Sequence, residues 1–185
     1  KRSLSIREKV FGPEHPDVAT SLINLALLYN KQGRYSEVEP LYKRALAIDE
    51  KTLGPEHPDV ALSLNNLGLL YDKQGRYSEV EPLYKRSFTI YEKAYGPDHP
   101  YVATILNNLA NLYRNQERIE EALAASRNSI EIYRKRFSEG FGEQTKGARS
   151  EQQKISNLFL FHLDLIIKLM QNASGITQMS LNSEG

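Results

Sequence analysis

Asn24, Asn66 and Asn108 recur at one fixed interval along the chain, and Asn65, Asn107 and Asn111 stand close beside them. A carboxamide carries both a donor and an acceptor, so a row of them can hold the N–H and the C=O of an extended peptide with little regard to its side chains. Leu27, Leu69 and Ile23 add apolar patches. Lys31, Lys73, Arg114 and Arg118 bias the rim of such a surface toward acidic side chains or a free carboxylate. The plainer alternative is that Asn is a tolerated polar residue on an exposed helix face. Asn is a mediocre helix former, and its return on one face weighs toward binding.

Other chemistry finds no support. His15, His57 and His99 recur at the same interval. Packed helices lie about 8–10 Å apart, so equivalent points of successive helix pairs are too distant to share one zinc. A proline follows each of these histidines, so each is expected to cap the helix it precedes. There is no His-Glu-x-x-His pair, phosphate-binding glycine loop or nucleophile elbow. With no Cys, disulfides, thiolate metal sites and a cysteine nucleophile are excluded, and a reducing, cytoplasmic setting is the default expectation. Lys plus Arg number 24 against 23 Asp plus Glu, which gives no reason to expect nucleic acid or a membrane surface as partner. The longest apolar stretch, Leu158 to Met170, is broken by His162, Asp164 and Lys168 and is short of the roughly 20 residues that cross a bilayer. These residues point to no enzyme, cofactor or metal.

The elements that must position the asparagines come from a repeat. Gly12-Pro13-Glu14-His15-Pro16 returns as Gly54-Pro55-Glu56-His57-Pro58 and Gly96-Pro97-Asp98-His99-Pro100, a period of 42 residues. Phe11–Thr52 and Leu53–Ala94 agree at 32 of 42 positions. Each unit reads as two helices, because apolar residues recur at three and four spacings between Gly and Pro punctuation. In the first unit, Pro16 opens a helix running to about Gln32, Gly33 closes it, and Ser36 with Glu39 resembles a capping box opening a second helix that ends at Leu53. Pro40 is tolerated there as a first-turn residue. At about 100° per residue, Leu22, Leu25, Ala26 and Tyr29 share the face that packs on the partner helix, and Thr20, Ile23, Asn24, Leu27, Asn30 and Lys31 lie opposite. The organisation expected in one domain is a partial repeat (1–11, second helix only), three units (12–137), a loop (138–148), a capping or docking helix (149–171) and a flexible tail (172–185).

Leu25, Ala26, Tyr29, Gly33, Tyr35, Tyr42 and Ala45, with their counterparts Leu67, Gly68, Tyr71, Gly75, Tyr77, Tyr84 and Ser87, resemble the tetratricopeptide repeat (TPR) signature. The long period, the Gly-Pro-Glu-His-Pro string and the Asn-Asn-Leu string resemble the kinesin-light-chain subclass. That resemblance implies an all-α fold, a right-handed superhelical solenoid of antiparallel helix pairs with a C-terminal capping helix. It also implies a protein or peptide ligand, a short, partly acidic, extended segment held in the concave groove. The candidate contacts are Asn24, Asn65, Asn66, Leu69, Lys73, Asn107, Asn108, Asn111, Arg114 and Asn115. The third unit departs at Glu117, where glycine is expected, so the turn there is open to change.

On the wheel of the helix expected over 149–171, Asn157, Asp164, Lys168 and Gln171 form a polar strip, and Ile155, Leu158, Phe159, Leu163, Leu165, Ile166, Leu169 and Met170 cover most of the rest. One flank can seal the last repeat, and the breadth of the remainder leaves room for an adjoining domain to dock. His162 lies in the apolar sector and reads as packing. Ala148-Arg149-Ser150-Glu151-Gln152 and Phe161-His162-Leu163-Asp164-Leu165 also resemble the segment joining TPR arrays to the caspase-like CHAT peptidase domain of bacterial proteins. This implies an alternative role as the recognition arm of a larger peptidase whose catalytic residues lie outside the chain.

Overall fold

The computed structural model describes residues 2–136, 138, 153, 156–168 and 170. Seven helices run in order: α1 (Arg2–Phe11), α2 (Pro16–Lys31), α3 (Tyr35–Leu53), α4 (Pro58–Lys73), α5 (Tyr77–Tyr95), α6 (Pro100–Asn115) and α7 (Ile119–Arg136). A further helix, α8, covers 156–168, and among the described residues there is no strand. The rest of the 149–171 stretch, apart from 153 and 170, lies outside the described residues, as do the 138–148 loop apart from Ser138 and the 172–185 tail. The chain divides into two compact units, Lys1–Gly96 and Pro97–Gly185. Repeat arrays contact only their neighbours, so no single core has to run through the chain.

Local chemistry starts and stops each helix. His15 precedes α2 in extended backbone and its Nδ1 accepts the Asp17 N–H at 3.2 Å. His57 and His99 do the same for Asp59 and Tyr101, also at 3.2 Å. Each ring thus satisfies a backbone donor that the first helical turn leaves unpaired. The turn into the second helix needs a left-handed residue, and Gly33 (φ 73°) and Gly75 (φ 71°) supply it. Glu117 takes the same conformation at φ 62°, so the third turn keeps its geometry despite the missing glycine.

The capping box expected from Ser36 and Glu39 does not form. The residue before α3 is Arg34, no side chain caps it, and Ser36 already lies inside the first turn. Arg34 closes the turn by another route. Its guanidinium lies 3.8 Å from the Tyr29 ring centroid and its Nε donates to Glu37 at 2.6 Å. Arg76 over Tyr71 (3.7 Å) and Arg118 over Tyr113 (4.2 Å) repeat the arrangement. With the helix starting at Tyr35, Pro40 falls in the second turn of α3 rather than the first.

In the first unit, α2 pairs with α3 and α4 with α5, while α3 also packs on α4. Val18, Leu22, Ala26 and Tyr29 are buried from α2, and Val38, Tyr42, Ala45 and Ile48 from α3. In the second pair a Cβ on Gly68 would stand 2.5 Å from Tyr84 Cε1, so glycine permits the approach of that ring. Polar contacts join successive repeats. Arg44 bonds Glu8 at 2.8 Å, Arg86 bonds Glu50 at 2.6 Å, and Ser63 donates to the buried Asp49 at 2.8 Å. Ile23, placed by the helical wheel on the open face, is buried, because each pair meets a neighbouring helix as well as its partner.

The second unit holds α6, α7 and α8. The Ser129 hydroxyl donates to the Ala103 carbonyl at 2.8 Å, as Ser87 does to Ala61 in the first unit. From α8, Leu158 and Leu165 are buried, His162 Nδ1 lies 3.3 Å from Ser126 Oγ, and Phe161 receives the Arg114 guanidinium at 4.7 Å.

Candidate functional site

The asparagines sit on the first helix of each pair. In the first unit, Asn24 of α2 is exposed, and Asn65 and Asn66 of α4 are half-buried, with Leu69 and Lys73 of the same helix exposed. Asn24 and Asn66 therefore stand at one register position on successive first helices of that unit. Leu27 and Leu28 of α2, with Leu62 of α4, add exposed apolar surface to the same helices.

In the second unit, α6 carries Asn107, Asn108, Asn111 and Arg114 half-buried and Asn115 exposed. Here α8 comes alongside. Thr104, Asn107 and Asn111 of α6, Tyr133 of α7, and Asn157, Leu158 and Phe161 of α8 line a cavity of about 460 Å³. The Asn111 amide donates to the Asn107 backbone carbonyl at 2.9 Å, and Thr104 Oγ1 lies 3.4 Å from Tyr133 Oη. Carboxamides, hydroxyls and one aromatic ring converge, a lining suited to a peptide group with an apolar side chain beside it. Tyr133, Asn157 and Phe161 were not among the residues expected from sequence. Asn157 was legible only as part of a polar strip, because a helical wheel does not say which neighbour that strip meets.

The basic rim is partly spent on structure. Arg118 holds Glu121 at 2.5 Å and stacks on Tyr113, and Arg114 lies over Phe161. In the first unit Glu39 accepts from Lys43 and Arg76, each at 2.8 Å, and from the Tyr71 hydroxyl at 2.9 Å. Lys43 foremost, then Arg76 and Tyr71, hold its carboxyl down at about 2, well below the usual carboxylate range. His162 is shifted down by burial and by the charge of Arg127, which favours the neutral imidazole. Among the described residues no group of three or more His, Asp or Glu side chains is placed to hold a metal ion, and no helix is long and apolar enough to cross a membrane.

Helix pairs of one length, closed by the same His-Pro start and the same arginine-on-tyrosine turn, define an α-helical repeat protein. The family model for the tetratricopeptide repeat matches residues 1–51, 39–93 and 81–135, and the chain belongs to that family. Comparison with curated protein sequences finds no match. Among solved structures, BtubC (BKLC) from P. vanneervenii superposes with a TM-score of 0.69 at 20% identity, covering 95% of this chain and 71% of that one. A protein from Podosopora anserina, described as a kinesin light chain with nearly identical TPR-like repeats, gives 0.66 at 21% identity, covering 96% and 84%. The N-terminal domain of stress-induced protein-1 from C. elegans gives 0.53 at 15% identity, covering 77% and 95%. The all-α fold and the kinesin-light-chain-like kind of repeat stand on this ground, and with them a scaffold for protein–protein interaction.

Proposed function

We propose that the chain is a cytoplasmic interaction module that holds an extended, partly acidic peptide on the first-helix faces of its repeats. The observation that carries this reading is the return of asparagine at one position of α2, α4 and α6, with a second asparagine beside it on α4 and α6. Carboxamides at that register grip the main chain, the exposed leucines of α2 and α4 take apolar side chains, and Lys73 draws carboxylates. In the third repeat the cavity shared with α8 supplies a seat for one side chain. The alternative role as the recognition arm of a CHAT-type peptidase draws on the exposed apolar side of α8 and leaves catalysis to residues outside the chain.

The test is a peptide selected from a displayed random library, titrated against two triple variants. Asn24, Asn65 and Asn66→Ala empties the first unit of carboxamides, and Asn107, Asn108 and Asn111→Ala empties the second. At least one is expected to weaken binding by about 1–3 kcal/mol, the loss when buried peptide groups go unpaired. The melting temperature holds or rises, since Ala is the better helix former. Lys73→Gln weakens binding mainly at low salt. Binding that ignores both triple variants but is lost on changing Lys43, Arg44 and Lys85 on the second helices would refute the reading.

A further inference from the structure

The third repeat breaks a charge rule that the first two obey. Lys43 of α3 and Lys85 of α5 each pair with a glutamate one turn earlier, Glu39 and Glu81, at 2.8 Å. The equivalent residue of α7 is Arg127, and the place of the glutamate is taken by Leu123. One repeat interval separates Glu8, Glu50 and Glu92. Of these, Glu8 and Glu50 receive the arginine of the following repeat, Arg44 and Arg86. The next residue in that series is Arg134, so an acceptor of cations becomes a cation. Arg127 and Arg134 are both exposed, and among the described residues neither is ion-paired, although Glu131 lies between them in sequence.

These two arginines flank an apolar cleft. Together with Ile130 of α7 and Phe159, Leu160 and His162 of α8, they line a space of about 750 Å³. Phe159 and Leu160 are 59% and 63% exposed, although both stand beside the helix that buries Leu158 and Leu165. The arginines are two turns apart, about 10 Å along α7 at 1.5 Å per residue. Large exposed apolar side chains beside unpaired cations make a surface that water solvates poorly and that a carboxylate-bearing apolar segment complements.

We infer that the cleft between α7 and α8 is a second docking site, which takes a partner protein's helical segment carrying large apolar side chains with two carboxylates spaced to meet Arg127 and Arg134. The apolar side chains seat on Ile130, Phe159 and Leu160. The carboxylates replace the glutamates that the first two repeats supply internally. The site is separate from the first-helix faces and does not depend on the peptide reading given above.

The probe is a set of synthetic amphipathic helical peptides with Leu and Phe on one face and two Glu seven residues apart beside them, labelled for fluorescence anisotropy. A twin set has the two Glu replaced by Lys, and another has Leu and Phe replaced by Ala. The expected result is that the acidic apolar set binds the full chain and the two twins do not. Arg127→Glu with Arg134→Glu then lowers affinity for the acidic set at least tenfold and restores binding to the Lys twin, with the helical circular dichroism unchanged. Asn107, Asn108 and Asn111→Ala leaves this binding in place. Failure of every acidic peptide to bind would overturn the inference, and so would binding that is indifferent to the double charge reversal. Loss of binding in the Asn variant but not in the Arg variant would overturn it as well, and would place the peptide on the first-helix face instead. Saturable uptake of sodium dodecanoate in the cleft without peptide binding would replace the protein segment with a small amphiphile and likewise refute it.

Discussion

Replacing Asp49 with Asn will raise stability at neutral pH and leave it unchanged in acid. Asp49 is 3% exposed at the packing of α3 on α4, and its Oδ2 accepts the Ser63 hydroxyl at 2.8 Å. Burial first, then the negative charge of Asp59, pushes its carboxyl above the ordinary value, with Ser63 and His57 opposing. Asparagine keeps the shape and the carbonyl that Ser63 needs and removes the charge. A buried polar group left short of partners costs about 1–3 kcal/mol, and part of that returns as the new amide seeks its own acceptor, so the net gain is about 1 kcal/mol. In a chain of this size that amounts to about 2–4 °C in Tm. The sign with pH follows from linkage. A carboxyl whose folded pKa is raised contributes its full stability below the unfolded value of about 3.9, and that contribution is lost as pH rises through the folded pKa. The difference between variant and parent therefore starts near zero in acid and opens to its full size by neutrality. Urea melts of both proteins across that range read it directly. A variant that melts below the parent at neutral pH, or gains equally at every pH, would refute the reasoning.

Glu39→Gln is expected to cost about 1–2 kcal/mol at neutral pH, because three donors lose a charged acceptor. The parent keeps this contribution above the ordinary carboxylate range and loses it as pH falls toward about 2, so its acid stability profile is steeper than the variant's; equal slopes in urea melts would count against the network. Glu117→Gly removes a side chain from a left-handed residue and is expected to gain about 0.5–1 kcal/mol after the added freedom of the unfolded chain is subtracted; a lower Tm would show that the Glu117 side chain stabilises the turn.

Much of the fold was legible because it is set by local rules repeated in register. His-Pro starts, the positions of Gly33 and Gly75, and the helix ends at Lys31 and Leu53 follow from residues within a few positions of each event. The failures are equally local in cause. The Ser36 box matched a pattern, but the Arg34 guanidinium had both Tyr29 and Glu37 within reach and made the helix begin earlier. Ile23 was misplaced because one helical wheel represents one partner, and a stacked helix has more than one. The seat of α8 was illegible for the same reason. Its apolar sector covers most of the wheel, so periodicity alone could not choose Leu158 and Leu165 over Phe159 and Leu160.

The two kinds of position separate when the repeats are laid over one another. Those unchanged in all three, such as His15, His57 and His99 or Arg34, Arg76 and Arg118, close caps and turns. Several that change only in the third repeat meet α8. Ser126 stands where Tyr42 and Tyr84 stand, and its hydroxyl faces His162. Arg114 replaces Asn30 and Asp72 and lies over Phe161, while Asn111 replaces Leu27 and Leu69 and lines the cavity with Asn157. Arg127, left without its glutamate, and Arg134, reversed in charge, flank the cleft on the other side of the same helix. A terminal unit that needed only to be sealed would require apolar substitutions. These are polar and cationic, the composition of a unit remade both to seat its own last helix and to leave charge beside it for a partner.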